Sequence, residues 1–212
     1  MKGIIISGGT EPSLELLKDN LKGKYVLIAS DSGANVTYKY GLCPSIIVGD
    51  LDSIKESVKE YYSNQGCKFI KFNPEKDFTD TELAIKEITK KNIDEIILLG
   101  CTGTRLDHVL ANLGLLIDYH KKGYKIKLVD DNNEVKVCEK SLSIKGEKGK
   151  LFSVQAFKET VSNLSIRGAK YELENYNLEP GSPLTVSNEF LNDKDIKITF
   201  NSGNLLLIYP KD

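Results

Sequence analysis

The chain has 212 residues, 40% hydrophobic and 28% charged, which is enough apolar material for one large core or two small ones and too much for a disordered tail. With 29 basic against 30 acidic residues the formal net charge is −1, which argues against a general nucleic-acid binder. No apolar run approaches the roughly 20 residues that span a bilayer, and the apolar stretch before Gly8-Gly9 is too short for a signal peptide. A cytoplasmic protein without a membrane partner is expected. Cys43, Cys67, Cys101 and Cys138 form no Cys-x-x-Cys pair and read as reduced thiols. The two histidines, His108 and His120, are too few and badly spaced for a zinc site. Among the 29 basic residues only Arg105 and Arg167 are arginine, so each is a candidate for a geometric role that a lysine point charge does not fill.

In chain order, short apolar runs at Gly3–Ser7, Tyr25–Ser30, Ser45–Val48, Lys68–Phe72, Glu95–Gly100 and Lys125–Asp130 alternate with amphipathic stretches such as Thr81–Lys91 and Leu106–Lys122. That alternation predicts an α/β domain over residues 1–130 with a mostly parallel sheet covered by helices. From Asn132 onward the runs Glu134–Cys138, Lys150–Phe157, Val161–Arg167, Leu184–Glu189, Ile196–Asn201 and Asn204–Tyr209 are broken by Gly, Asn and Pro, with no helical pattern between them. They predict an all-β sandwich domain over residues 131–212, joined at the polar Asp130-Asp131-Asn132-Asn133 stretch.

In an open α/β sheet, ligands bind at the carboxyl ends of the strands. The segments predicted there are Asp31-Ser32-Gly33-Ala34-Asn35, Gly49-Asp50-Leu51-Asp52-Ser53, Asp77-Phe78-Thr79-Asp80 and Gly100 through His108, the last containing Arg105 and Asp107. Each aspartate has a bland reading as a helix cap or first-turn residue, and Thr79-x-x-Glu82 is a capping box. The pair Asp50 and Asp52 is harder to explain that way. Two residues apart in extended chain, their side chains leave on one side and repel unless a cation lies between them. Magnesium suits such a pair, because it takes a few carboxylates and completes its shell with water and phosphate oxygens. Ser7-Gly8-Gly9-Thr10 and Thr102-Gly103-Thr104 allow close approach of backbone N–H groups to phosphate. Neither a P-loop nor a dinucleotide fingerprint is present.

In order and spacing, Asp31-Ser32-Gly33-Ala34, Gly49-Asp50-Leu51-Asp52-Ser53, Asp77-Phe78-Thr79-Asp80-Thr81-Glu82 and Gly103-Thr104-Arg105-Leu106-Asp107-His108 resemble the motif series of the thiamine pyrophosphokinase family. Leu164 through Leu173 and Leu184 through Phe190 resemble that family's thiamine-binding β domain. The resemblance implies Mg²⁺-dependent transfer of the pyrophosphoryl group of ATP to thiamine, with AMP released, by a homodimer with active sites between subunits. It implies Asp50, Asp52 and Asp77 as metal ligands, with Asp31, Ser32, Gly33 and Arg105 on the nucleotide. Asp80, Arg105 and Asp107 would serve catalysis, and Ser187 and Asn188 would face thiamine. With no tryptophan in the chain, stacking on the vitamin falls to Tyr or Phe. Two rival readings stand beside it. A haloacid-dehalogenase phosphatase would use Asp50 as nucleophile, but the signature here starts near residue 50 rather than at the N-terminus, and no later acidic metal motif follows at the usual distance. A non-catalytic sensor would lack a metal ligand, yet all the motif aspartates are present.

Overall fold

Isoleucine- and leucine-rich runs of the N-terminal half become the strands of one parallel sheet. The computed structural model describes residues 1–73, 77–191 and 195–211, and the chain divides after Asp131 into two units. The first contains β1 (Lys2–Ile6), α1 (Leu14–Asn20), β2 (Tyr25–Ser30), α2 (Gly33–Lys39), β3 (Ile46–Gly49), α3 (Glu56–Asn64), β4 (Lys68–Lys71), α4 (Asp80–Ile88), β5 (Glu95–Leu99), α5 (Leu106–Lys121) and β6 (Lys125–Val129). Its strands lie in the order β4-β3-β2-β1-β5-β6, and every neighbouring pair is parallel. Burial on both faces explains why β1, β2, β3 and β5 carry unbroken apolar runs rather than alternation: Ile4, Ile5, Ile6, Ile28, Ile47 and Leu98 are inaccessible to solvent.

The order has a functional consequence. The chain steps from β1 across β2 and β3 to β4, then returns to place β5 on the other side of β1. The loops leaving β1 and β5 therefore diverge in direction at a topological switch point, where open α/β sheets bind ligands. The helices beside it are capped from the sequence. Ser13 accepts a hydrogen bond from the Leu16 N–H to start α1, and Thr79 accepts one from the Glu82 N–H at 3.2 Å to start α4. The Thr79 half of the predicted capping box is thus formed, while Glu82 pairs with Lys86 one turn on.

The second unit contains β7 (Asn133–Cys138), β8 (Leu142–Ile144), β9 (Leu151–Ala156), β10 (Val161–Arg167), β11 (Leu173–Leu178), β12 (Asn188–Glu189), β13 (Ile196–Thr199) and β14 (Leu205–Pro210). Strands β12-β9-β14-β7 form one antiparallel sheet and β11-β10-β13-β8 another. Val154, Leu205 and Leu207 of the first meet Leu164, Ile166, Ile196 and Ile198 of the second in one buried cluster, which is the packing of a sandwich. The run Leu184–Glu189 is mostly not a strand. Only Asn188 and Glu189 pair with β9, because Ser187 has a φ of 55° that breaks the extended chain. All four cysteines are free thiols, and burial pushes those of Cys101 and Cys138 up to about 11. Among the described residues no helix is long and apolar enough to cross a membrane.

Candidate active site

The switch point opens into a cavity of about 420 Å³ within the first unit. Ser7-Gly8-Gly9-Thr10 after β1 and Gly100 through Arg105 after β5 form two of its walls. Asp31 and Ser32 after β2 form another, Thr79, Asp80 and Thr81 at the start of α4 a fourth, and α5 adds His108, Val109 and Asn112. That volume is in the range of small-molecule sites.

The first two walls are knitted together. The Gly9 N–H donates to the Gly100 carbonyl at 2.8 Å and the Thr10 N–H to the Thr102 carbonyl at 2.6 Å. A Cβ on Gly9 would sit 2.6 Å from the Gly100 oxygen and closer still to that of Thr102. These glycines therefore serve loop-to-loop approach, and the N–H groups of Gly9 and Thr10 are spent within the protein. The expected backbone phosphate cradle is to that extent not available.

On the neighbouring side three carboxylates converge: Asp31, Asp50 and Asp52 each place an oxygen within 4.8 Å of the others. The local reason is a turn, not extended chain as expected from the two-residue spacing. Leu51 has a φ of 68°, and the Asp52 N–H donates to Asp50 Oδ1 at 3.1 Å. Asp31 also has positive φ, 48°, which Asp tolerates better than most residues, and its N–H donates to the Val48 carbonyl at 2.7 Å. Gly49 makes room for this contact, since a Cβ there would lie 3.0 Å from the Asp31 Cβ. Asn35 of α2 ties down the acidic loop from the far side, donating to the Ser53 carbonyl and accepting from the Lys55 N–H, both at 3.1 Å. Ser53 in turn donates its hydroxyl to Asp31 Oδ2.

The electrostatics of the group are strained. Asp50 pushes the Asp52 carboxyl above its usual range, first through a hydrogen bond between the two and then through like charge, with smaller contributions from burial, Asp31 and Asp80. Asp31 Oδ1 is buried and has no hydrogen-bond partner among the described residues. A buried carboxylate oxygen without a donor, beside two more carboxylates, fits a hard divalent cation that accepts oxygen ligands.

The family model for the thiamin pyrophosphokinase catalytic domain matches residues 17–128, and the model for the thiamin pyrophosphokinase vitamin B1 binding domain matches residues 135–205. Thiamine pyrophosphokinase of Bacillus subtilis is 30% identical over 211 residues, spanning 98% of each chain. The chain belongs to the thiamine pyrophosphokinase family. The crystal structure of the Bacillus subtilis enzyme covers all of both chains with a TM-score of 0.87 at 29% identity. That from Geobacillus thermodenitrificans covers 100% of this chain and 98% of its own, with a TM-score of 0.85 at 28% identity. Thiamin pyrophosphokinase from Candida albicans, at 17% identity and a TM-score of 0.85, shares the fold.

Within this family enzyme the site residues expected from the sequence separate by position. Asp31, Ser32, Asp80 and Arg105 line the cavity. Gly33 is buried beneath it: a Cβ there would lie 2.7 Å from the Ile6 carbonyl carbon, so its role is to let α2 start against β1. Asp77 is exposed ahead of α4 and stands outside the carboxylate group, in which Asp31 joins Asp50 and Asp52. Arg105 and Asp107 form a bidentate pair, with Nη2 to Oδ2 at 2.6 Å and Nε to Oδ1 at 3.2 Å. That guanidinium holds the Asp107 carboxyl down at about 2.

In the second unit Ser187 is exposed, and its N–H donates to Ser153 Oγ at 2.9 Å. Asn188 is 4% exposed and its amide is consumed internally. Its Oδ1 accepts from the Tyr171 and Glu189 N–H groups, and its Nδ2 donates to the Tyr171 carbonyl at 2.8 Å. Asn188 thus positions the Tyr171 segment, whose ring is 60% exposed. Asn35 and Ser53 stand in the predicted loop segments without an assigned role, and Asn112 lies outside them. Their partners lie between 11 and 22 residues away, and no local pattern records them.

Proposed function

We propose that this thiamine pyrophosphokinase transfers the pyrophosphoryl group of ATP to the hydroxyl of thiamine in a Mg²⁺-dependent reaction, releasing AMP. The observation that carries the metal requirement is the Asp31, Asp50 and Asp52 group with its unpartnered buried oxygen. Asp50 and Asp52 would hold the ion with Asp31, and Asp77 of the motif series is the further candidate ligand. When bound, the ion supplies positive charge against the polyphosphate, which is the main requirement of phosphoryl-type transfer.

The chain's own residues supply the rest. The thiamine oxygen attacks the β-phosphorus while the bond from that phosphorus to the α–β bridging oxygen breaks and AMP departs. Arg105 lines the cavity and offers a planar fork of donors to the transferred phosphates. Asp107, held at about 2 by Arg105, is a poor proton acceptor and acts by orienting the guanidinium. Asp80, at the first position of α4 and facing the cavity, is the proposed acceptor of the hydroxyl proton. Ser187 and the Tyr171 segment held by Asn188 are the proposed contacts to the vitamin. Homodimer formation is proposed as well, supported by the exposed Leu106 and Leu110 one turn apart on α5; a monomeric mass in solution overturns it.

The test is AMP release measured with and without thiamine and Mg²⁺. The reading predicts AMP only when both are present. Free phosphate released from simple phosphoesters, with no AMP formed, favours the phosphatase alternative and overturns the proposal.

A further inference from the structure

Asn112 lies on the side of α5 that lines the cavity and is 5% exposed, a polar side chain almost wholly withdrawn from solvent. Its Nδ2 donates to the Cys101 carbonyl at 2.8 Å. A carbonyl accepts only from the nitrogen, so this bond fixes which way the amide faces. Among the described residues nothing donates to Oδ1. The polar neighbours in the cavity wall are occupied with each other: the Ser7 and Thr81 hydroxyls are hydrogen-bonded at 3.0 Å, and the Cys101 thiol points to the Leu99 carbonyl. On this wall the cavity thus has an oriented, uncharged acceptor without a donor among the described residues, held on α5 and distinct from the acidic acceptors Asp31 and Asp80.

Resting on the ATP reading above, we infer that Asn112 is a specificity-determining residue whose Oδ1 accepts a hydrogen bond from the 6-amino group of adenine. Phosphate oxygens are themselves acceptors and are repelled by an amide oxygen, so this wall suits the nucleoside half of the donor, whereas Arg105 suits its phosphates. A ribose hydroxyl both donates and accepts, but a lone fixed acceptor best matches a group that only donates. Replacing the 6-amino group by an oxo group removes the donor and sets two acceptors against each other.

The experiment compares kcat/KM for ATP, ITP and 2′-deoxyATP in the thiamine- and Mg²⁺-dependent reaction of the full chain and its Asn112→Ala variant. The unsubstituted enzyme is expected to prefer ATP over ITP by about 10–100-fold. Asn112→Ala is expected to compress that preference to about threefold or less, mainly by losing ATP, and to leave the ratio of ATP to 2′-deoxyATP unchanged. Equal losses for ATP and ITP mark a purely structural role and overturn the inference, as does a change confined to 2′-deoxyATP, which assigns the oxygen to the ribose. If the variant does not fold, the unsubstituted enzyme still decides: equal kcat/KM for ATP and for purine riboside triphosphate, which lacks any 6-substituent, overturns it. Failure of every nucleotide to yield its monophosphate sinks the ATP reading and the inference together, whereas efficient use of ATP without discrimination sinks the inference alone.

Discussion

Gly9→Ala is a sharp test of how the cavity is built. Gly9 does not need positive φ, so the cost of a methyl group is purely steric. The new Cβ would lie 2.6 Å from the Gly100 oxygen, short of ordinary contact by roughly 0.9 Å. The obstacles are backbone atoms on a neighbouring strand's loop, which cannot rotate away. Parting the two loops sacrifices the Gly9–Gly100 and Thr10–Thr102 hydrogen bonds, a loss of about 1–3 kcal/mol at the usual net value. For a chain of this length that corresponds to a melting point lower by roughly 3–10 °C. Displacement of a cavity wall by about an ångström is expected to lower kcat/KM by on the order of 100-fold. Gly23→Ala is the control, because a Cβ there meets nothing within 4 Å although φ is 84°. It should cost about 1 kcal/mol of backbone strain and leave turnover unchanged. The assays are thermal melting and AMP release at a temperature where both variants are folded. If Gly9→Ala keeps kcat/KM within about threefold of the parent, the loop contact does not shape the site and the reasoning is refuted.

The remaining predictions concern charge and positioning. Mg²⁺ at about ten times its dissociation constant should stabilise the parent by about 1.4 kcal/mol, seen as a higher melting point, and Asp50→Asn should abolish that response while still accepting the Asp52 N–H. Without the ion, Asp50→Asn should melt at or above the parent, since it removes the like charge that raises Asp52. The sign with pH follows from the same shift. A raised Asp52 means the folded state binds more protons than the unfolded chain, so the metal-free protein loses stability as pH rises from the ordinary carboxylate range through the raised value. Protons compete with the metal, so the Mg²⁺-dependent rise in melting temperature should shrink from pH 8 to pH 5; an unchanged rise would refute the assignment. Asn188→Ala should destabilise the chain by about 1–3 kcal/mol through the stranded Tyr171 N–H and carbonyl, whereas Ser187→Ala should leave stability unchanged and raise KM for thiamine. Asp80→Asn should lower kcat far more than Asp107→Asn, and equal effects would remove the base assignment from Asp80.

What could be read in advance depended on whether the cause was local. The inner strands β1, β2, β3 and β5 are legible because burial on both faces leaves continuous runs such as Gly3–Ser7 and Glu95–Gly100, and the cap at Thr79 because its partner is three residues away. The strand β11, Leu-Glu-Asn-Tyr-Asn-Leu, was not, since four of its six residues are exposed and carry no apolar alternation. The Asp50 and Asp52 pair was visible, but its geometry comes from the left-handed Leu51 and not from strand periodicity. Asp31 joins the pair because β2 and β3 run side by side, a pairing that spacing along the chain does not encode. The Ser7-Gly8-Gly9-Thr10 loop reads from sequence as a phosphate cradle, whereas the carbonyls that Gly9 and Thr10 meet lie some 90 residues onward.

This loop-to-loop bonding bears on the chemistry. A phosphate site built on a glycine loop uses backbone N–H groups as its positive charge, but here Gly9 and Thr10 donate to Gly100 and Thr102 instead. Those two donors are lost to phosphate, so more of the neutralising charge falls to the cavity's other groups. Asp31 Oδ1 is a buried oxygen without a donor among the described residues, next to two more carboxylates, and Arg105 is the one guanidinium in the wall. A site in which two backbone donors are closed off and three carboxylates crowd together is suited to an added cation when it holds a polyphosphate. Chelation of the metal should accordingly raise the dissociation constant for the nucleotide itself, measured by calorimetry without thiamine, and not merely slow the transfer step. A nucleotide affinity indifferent to chelator would mean that Arg105 and the remaining walls suffice, and that the acidic group serves another purpose.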